Sequence, residues 1–341
     1  MLWSRLACAL PLVTFAALVV ASPASMPADR ISEVTVDRTE FVVHLASGRV
    51  LRGAALEGAT LTLAMGVDSA AERIRISDVQ VDPNDPDREI TLYHLFAVDS
   101  AGHETELCGS NAQGERWGFP VQGQWDREGT HVSNRGFTLT CGDGAQGKCI
   151  RFGYKPWKTL QDGTSLEPFH QACIRAVRAD YCGGRGTTRD GMLIDIYDTL
   201  GIQTRDPHGD AAGVRFEAAW TPSGATCVAH TRVPENVTLD RLATDCPRLK
   251  GRLGEDMCTE DSARGSGATP LIYLRSRSLS VPQDKSTGDP SYGNFHEGQL
   301  CVRRRVDRCV CDYCGRENRG QQNCRKQNRR ESDCRQQDQF E

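Results

Sequence analysis

The chain has 341 residues, with 41 Lys or Arg against 45 Asp or Glu, which gives a formal net charge of −4 at pH 7. This balance argues against a protein built around nucleic-acid phosphates, and the length suffices for one large or two ordinary domains with buried cores. The charge is uneven, because residues 301–341 hold 11 basic against 7 acidic side chains.

The N-terminus has the order of a secretory signal peptide. Arg5 precedes an apolar run from Leu6 to Val20, and small residues follow. The alternative, a membrane anchor, needs roughly 20 apolar residues, which this run does not reach. We therefore expect residues 1–24 to be a signal peptide cleaved after Ala21 or Ala24, and the mature chain to be secreted or periplasmic without a transmembrane segment.

Residues 30–106 alternate like β-strands, with β-branched residues between short polar or Gly-containing turns. No segment here has a helical period, so we predict a β-rich module. Its loop from Asp82 to Glu89 concentrates carboxylates, which calcium accepts as ligands, but it lacks the residue order of an EF-hand. We therefore expect a solvated acidic loop.

The following region, residues 107–281, mixes strands with one helix. The segments RGFTLTC and CIRFGY flank a Gly-rich loop and predict a hairpin in which Cys141 bonds to Cys149. An apolar stripe predicts a helix from about Leu166 to Tyr181, which Thr164 and Glu167 would start as a capping box. Gly183 and Gly184 would supply the left-handed residue that ends it.

Further strands are predicted in MLIDIYD and in the hairpin VRFEAAW-TPSG-ATCVAH. The predicted fold class is therefore α+β: an N-terminal β-rich module followed by a disulfide-braced mixed domain with one main amphipathic helix. Residues 282–300 are polar and aperiodic and are predicted to be a linker. Residues 301–341 are predicted to be a basic, Cys-rich tail.

The cysteines favour disulfides. An exported chain meets an oxidising compartment, and once Cys8 has left with the signal peptide both groups of cysteines are even in number. Six lie in the tail, where Cys311 and Cys314 have C-x-x-C spacing without a matching second pair, so disulfides or reactive thiols are favoured over zinc there. The eight disulfide candidates of the main body are Cys108, Cys141, Cys149, Cys173, Cys182, Cys227, Cys246 and Cys258.

Cys182 could be a nucleophile, a metal ligand or half of a disulfide. A nucleophile needs a base about 3 Å away, and His170 would lie about 18 Å along a continuous helix, although His208 or His230 could approach through the fold. Cys173 and Cys182 would be about 13.5 Å apart, beyond the roughly 7 Å limit for bridged Cα atoms. We expect Cys182 to be structural and bonded to a residue other than Cys173.

Metal and acid–base sites are weakly supported. His170 and Cys173 lie one helical turn apart and could offer two ligands, but a histidine beside a bridged cysteine explains the spacing equally well. Asp195 and Asp198 would lie on opposite faces of a strand, which separates two carboxylates that would have to act together. We predict no catalytic residue, no metal site and no cofactor.

The block around Cys182 resembles the ADYC-domain family of exported bacterial proteins, named for Ala179-Asp180-Tyr181-Cys182. The resemblance runs from about Leu107 to Cys258 and includes FHQACIRAVRADYCG, RDGMLIDIYD and FEAAWTPSGATCVAH in that order. It implies an extracytoplasmic domain with several cysteines, and it carries no established activity. We therefore treat residues 107–281 as an ADYC-like domain.

Three functional hypotheses follow. The first is an exported, disulfide-stabilised binding or structural protein, rather than an enzyme, that recognises a ligand or a cell-envelope partner. The alternative is an exported hydrolase that depends on a Cys or His with an Asp partner. The third is a surface or matrix protein that associates through its basic tail; nucleic acid is disfavoured as a partner because the tail has almost no aromatic residues for base stacking.

Overall fold

The computed structural model describes residues 29–64, 71–111, 113–210, 213–265, 269–277, 310–316 and 322–328, the last two by backbone only. The chain divides into a unit that ends at Val281 and a second unit that starts at Pro282. The predicted signal peptide, residues 1–24, and the predicted linker, residues 282–300, lie outside the described residues.

Two antiparallel sheets form the first part of the larger unit. One has the order β1-β2-β3, and the other has the order β4-β5-β6-β8-β9 with β7 paired to β6. The predicted boundary between residues 106 and 107 falls between β7 and β8 of this second sheet. The strands are β1 (Ile31–Asp37), β2 (Glu40–Leu45), β3 (Val50–Leu51), β4 (Thr60–Ala64), β5 (Ala71–Val81), β6 (Thr91–Val98), β7 (Glu104–Glu106), β8 (Trp117–Trp125) and β9 (His131–Cys141).

Alternation along the strands builds a shared core. In β5, Ile74 and Ile76 are buried while Arg75 between them remains partly exposed, as expected for a period of two. These side chains join Phe41 of β2 and Phe119 of β8 in one apolar cluster that spans both sheets. Because the cluster draws on both sheets, each covers the other's apolar face.

The second part of the unit places helices against a smaller sheet. Its strands have the order β10-β13-β11-β12, and all neighbours are antiparallel. Together with the first part this gives a mixed architecture in which strands dominate, so the α+β prediction is confirmed. The elements are α1 (Ala145–Arg151), α2 (Glu167–Arg178), β10 (Ile194–Asp198), β11 (Arg215–Thr221), β12 (Gly224–Val228), α3 (Leu239–Asp245), α4 (Glu260–Gly265) and β13 (Ile272–Ser276).

The segment around Cys149 was predicted to be a strand, and this prediction is wrong. It forms α1, in which the adjacent residues Cys149 and Ile150 are both buried, each in a different apolar cluster. A strand would have pointed these neighbours to opposite faces. A Cβ at Gly147 would collide with the carbonyl oxygen of Cys141, so glycine there lets the helix close onto the end of β9.

The predicted main helix is present as α2, with different caps. Thr164 does not cap it, and Leu166 at the N-cap position makes no side-chain cap bond. At the other end Ala179, with φ of 50°, is the left-handed residue, in place of the expected Gly183 or Gly184. The amides of Ala179 and Asp180 bond back to Ala176 and Arg175, and the helix ends at Arg178, three residues earlier than predicted.

The second unit contributes one described hairpin. The strands β14 (Val310–Arg316) and β15 (Gln322–Asn328) pair antiparallel, with Cys314 directly opposite Cys324. In the part of the chain that the structure describes, no helix is both long enough and apolar enough to cross a membrane.

Candidate functional site

Four disulfides join the eight cysteines that the structure describes in the larger unit, with Cα–Cα distances between 5.4 and 5.8 Å. The predicted Cys141–Cys149 bond is wrong. Cys149 lies in α1, where it faces α2, whereas Cys141 ends β9 and faces the loop before β8. The pairs are Cys108–Cys141, Cys149–Cys173, Cys182–Cys246 and Cys227–Cys258.

The bonds hold α2 at two points. Cys173, in the middle of the helix, is bonded to α1, and Cys182, just beyond its C-terminus, is bonded to Cys246 after α3. Cys173 and Cys182 are therefore not bonded to each other, as the helical geometry requires. Because its sulfur is in a disulfide, Cys182 has no thiolate available for nucleophilic attack in this form.

Asp180 organises the turn that follows α2. It is fully buried, and its Oδ1 accepts hydrogen bonds from the amides of Gly183, Gly184 and Arg185 at 2.8–2.9 Å. Its Oδ2 accepts a bond of 2.5 Å from Nη1 of Arg175, one helical turn earlier. A carboxylate with three amide donors and one guanidinium is saturated by its own chain, so it is a structural anchor.

Arg175 extends this anchor to the surrounding loops. Its guanidinium also donates to the carbonyl oxygens of Glu128 and Pro222 and to the hydroxyl of Thr130. Glu128 and Thr130 lie in the β8–β9 turn, and Pro222 lies in the β11–β12 turn. One buried arginine therefore fixes the helix against a turn of the β4–β9 sheet and a turn of the β10–β13 sheet.

Tyr181 belongs to a second buried network. Its hydroxyl donates to Oε1 of Glu217 at 2.9 Å, and Arg232 contacts both carboxylate oxygens of Glu217 at 3.0 Å. Burial raises the pKa of Tyr181 well above its usual value, because the phenolate would lose its hydration. The pair is almost completely enclosed, with 1% of the Arg232 side chain and none of Glu217 exposed.

Arg232 also completes the end of α2. Its Nη2 donates to the carbonyl oxygen of Ala176 at 2.7 Å, and its Nη1 donates to that of Val177 at 2.8 Å. The last carbonyls of a helix have no intrahelical partners and carry the negative end of the helix dipole. The buried guanidinium of Arg232 supplies hydrogen-bond donors to these carbonyls and a positive charge at the negative end of the dipole.

Each residue of the ADYC motif therefore has an internal role. Ala179 ends the helix, Asp180 holds the turn, Tyr181 reaches Glu217, and Cys182 forms a disulfide. The sequence reasoning singled out Cys182 but missed Arg175, Glu217 and Arg232. Their charges carry no spacing pattern, since Arg232 meets residues of α2 that lie more than fifty positions away.

The histidines do not assemble around Cys182. His170 is buried in α2, with Nε2 3.4 Å from the carbonyl oxygen of Gln146 and its ring edge-on to Trp125. Burial lowers the pKa of His170 to about 4. His230 lies 3.3 Å from the hydroxyl of Ser276, and His208 is in an exposed loop. No hydrogen bond or ion pair of the described residues links any of the three to Cys182.

The candidate metal ligands are also not assembled. Cys173, which shares a helix face with His170, is in a disulfide. Among the described residues no group of three or more potential ligands is placed to hold a metal ion.

Asp195 and Asp198 are separated, as predicted. The Oδ2 of Asp195 contacts the guanidinium of Arg275 at 2.5–2.7 Å. Asp198 accepts the hydroxyl of Tyr154 at 2.9 Å and three amides of the loop after β10. Asp195 therefore pairs with the neighbouring strand β13, and Asp198 holds the loop that follows its own strand.

The acidic loop between β5 and β6 is not simply solvated, which corrects our expectation. Asp82 is buried and contacts Nε of Arg151 at 2.7 Å. Nζ of Lys155, which is itself buried, lies 2.8–3.0 Å from carboxylate oxygens of Asp85, Asp87 and Glu89. The lysine ammonium thus occupies the centre of the oxygen cluster that suggested calcium. Hydrogen bonds from Lys155 and Lys158 lower the pKa of Asp87 to about 2.

A small open pocket lies between α2 and the β8–β9 turn. It has a volume of about 200 Å³ and is bounded by the β8–β9 turn, strand β9, the first turn of α1 and helix α2. Arg127 and Arg178 supply positive charge, Ile174 supplies an apolar wall, and Gln146 supplies an amide. The other lining residues are Trp125, Asp126, Gly129, Thr138, Thr140 and Ala145.

The fold and these networks define a class: a disulfide-braced α+β domain in which a four-residue motif locks the end of one helix to the surrounding strands. The ADYC domain family model matches residues 53–234. The chain belongs to the ADYC domain family, which confirms the resemblance seen in the sequence. The match starts before β4, includes the whole sheet from β4 to β9 and extends past Arg232. A comparison with curated proteins gives no match, and neither does a comparison with solved structures.

Proposed function

We propose that the protein is an exported, disulfide-braced binding or structural protein, and that the ADYC motif serves architecture rather than catalysis. One observation carries this proposal: Asp180, Tyr181 and Cys182 are all engaged by their own chain. A catalytic group needs an atom that is free to contact a substrate, whereas the functional atoms of these three side chains are bonded within their own chain.

Export is supported by two independent features. The N-terminal sequence has the order of a secretory signal, and the folded unit holds four disulfides, which persist in oxidising compartments outside the cytoplasm. A purified mature chain should therefore begin near Ser22 or Ser25 when its N-terminus is sequenced. Intact Met1 on folded protein recovered from the cytoplasm would contradict export.

Alkylation of the native protein tests the non-catalytic assignment. The mature protein is treated with iodoacetamide without reductant, digested and mapped by mass spectrometry. We expect no alkylation of the eight cysteines of the larger unit, because every sulfur is in a bond. Stoichiometric labelling of Cys182 in the folded protein would contradict the proposal and would favour a hydrolase that uses a free thiolate.

A further inference from the structure

We propose that the pocket between α2 and the β8–β9 turn binds a small organic carboxylate, with Arg178 as its anchor. This inference rests on the proposed binding role and names the ligand class for it. The ADYC motif begins directly after Arg178, the last residue of α2, but none of its four residues lines the pocket.

Arg178 is the first line of support. Its Nε is buried without a hydrogen-bond partner among the described residues, and its guanidinium makes no ion pair with any of them. The buried residues Arg175, Arg232 and Arg275 each pair with a carboxylate, whereas the partly buried Arg178 pairs with none in the described ranges. An acceptor bound in the pocket would give this guanidinium the partner that the described residues do not supply.

Two glycines pack closely against the end of α2 that carries Arg178. A Cβ at Gly129 would lie 2.8 Å from Cγ2 of Ile174 and 3.3 Å from Cδ of Arg178, and a Cβ at Gly186 would lie 3.2 Å from the carbonyl oxygen of Arg178. Larger residues at either position would displace the wall of the pocket that these two side chains form. Gly129 also has a φ of 77°, which disfavours other residues there.

The charges of the lining favour an anion. Arg127 and Arg178 are both without an ion pair in the described residues, and the only carboxylate that lines the pocket is Asp126. Asp126 is exposed, and its Oδ1 already accepts the amide of Thr130 at 2.8 Å. The pocket therefore has an excess of one positive charge over its lining carboxylate.

The shape and chemistry favour a carboxylate over other anions. A guanidinium presents parallel N–H donors that match the two oxygens of a carboxylate. The amide of Gln146 can add a donor, while Ile174, Ala145 and the ring of Trp125 offer apolar contacts for a short carbon chain or a ring. A volume of about 200 Å³ fits a ligand of that size and excludes a polymer.

Calorimetric titration of the full mature chain tests the proposal. The probes are sodium acetate, sodium butyrate and sodium benzoate, with sodium phosphate and sodium chloride at matched ionic strength. We expect saturable one-site binding of butyrate or benzoate, weaker binding of acetate, and none of chloride. No saturable binding of any carboxylate, or tighter binding of phosphate, would overturn the proposal.

Variants locate the binding. Arg178→Gln should weaken binding at least tenfold, and Ala145→Phe should do the same by filling the pocket while leaving the arginine in place. Arg185→Gln removes the same charge from an exposed side chain outside the pocket and should change affinity less than twofold. Equal losses in Arg178→Gln and Arg185→Gln would indicate nonspecific charge attraction. Ala145→Phe remains decisive if Arg178→Gln does not fold.

The outcome is separable from that of the alkylation experiment. A pocket that binds nothing, in a protein whose cysteines stay unreactive, removes the ligand class and leaves a structural role. A reactive Cys182 removes the proposed function whatever the pocket binds.

Discussion

Replacing Arg232 with methionine should be among the most destabilising single changes in this protein. Arg232→Met keeps a side chain of similar length but removes both contacts to Glu217 and the donors to the carbonyls of Ala176 and Val177. Glu217, which is fully buried, would then keep only the hydroxyl of Tyr181. Removing one partner of a buried ion pair typically costs 3–5 kcal/mol, about 10 °C in melting temperature for a unit of this size.

The assay is urea unfolding of the intact, oxidised protein, followed by circular dichroism. A second variant, Arg232→Met with Glu217→Gln, removes the stranded charge and should recover part of the loss, because the glutamine can still accept the bond from Tyr181. The matched control is Arg241→Met. That residue pairs with Asp245 at 2.7 Å but is 68% exposed, so its loss should cost less than about 1 kcal/mol.

Two results would refute this reasoning. One is a loss below about 1 kcal/mol for Arg232→Met, which would mean that the pair contributes no more than a surface pair. The other is strict additivity when Glu217→Gln is also measured alone, because residues in one hydrogen-bonded network should be coupled.

Three further predictions concern pH, the disulfide and the lysine cluster. The lowered pKa of His170 means that the folded state resists protonation of this residue, so the free energy of unfolding should fall as pH drops from 6.5 toward 4. The fall from this group alone should be about 2 kcal/mol between pH 7 and 5. The urea midpoint of His170→Gln should fall less steeply with pH than that of the parent, and an equal dependence on pH would contradict the prediction. Cys182→Ser opens a bridge spanning 64 residues and should cost about 4 kcal/mol in oxidising buffer, with no difference from the parent when both are fully reduced. Lys155→Met leaves three carboxylates facing each other and should destabilise the folded state by about 3–5 kcal/mol at pH 7. The loss should be smaller at pH 4, because carboxylates begin to protonate there. An equal loss at both pH values in thermal melts would argue against the ion cluster.

The elements that the sequence predicted well are those with a local signature. The apolar stripe of α2 and the alternation of β5 follow from periodicity alone, which is set by backbone geometry. The strand prediction around Cys149 is wrong because this segment is determined by tertiary contacts and not by a local pattern. The residues of CIRFGY favour strands, but the chain there is held as a helix by the bond to Cys173 and by close contact between Gly147 and Cys141. Such contacts are tertiary and leave no local pattern.

In the candidate site, too, local features could be predicted from the sequence and tertiary contacts could not. The motif drew attention to residues 179–182, and the helical rise correctly excluded a bond between Cys173 and Cys182. The partners that give the motif its role, Glu217 and Arg232, come from β11 and the segment after β12. The lysine at the centre of the acidic loop is likewise about seventy residues away in sequence. The roles of charged residues that follow no periodicity can be assigned only when the fold shows which of them are in contact.

The order of the four disulfides along the chain has a consequence for the sequence in which they can form. The first two bonds, Cys108–Cys141 and Cys149–Cys173, each join neighbouring cysteines, so a chain that emerges N-terminus first can close them in succession. The last two interleave, because Cys227 lies inside the loop closed by Cys182 and Cys246 and yet bonds to Cys258 beyond it. Oxidation in order of emergence would join Cys182 to Cys227 first, and the native pairing would then require thiol–disulfide exchange. The C-terminal half of the domain should therefore depend on an isomerase, while the N-terminal half needs only an oxidant.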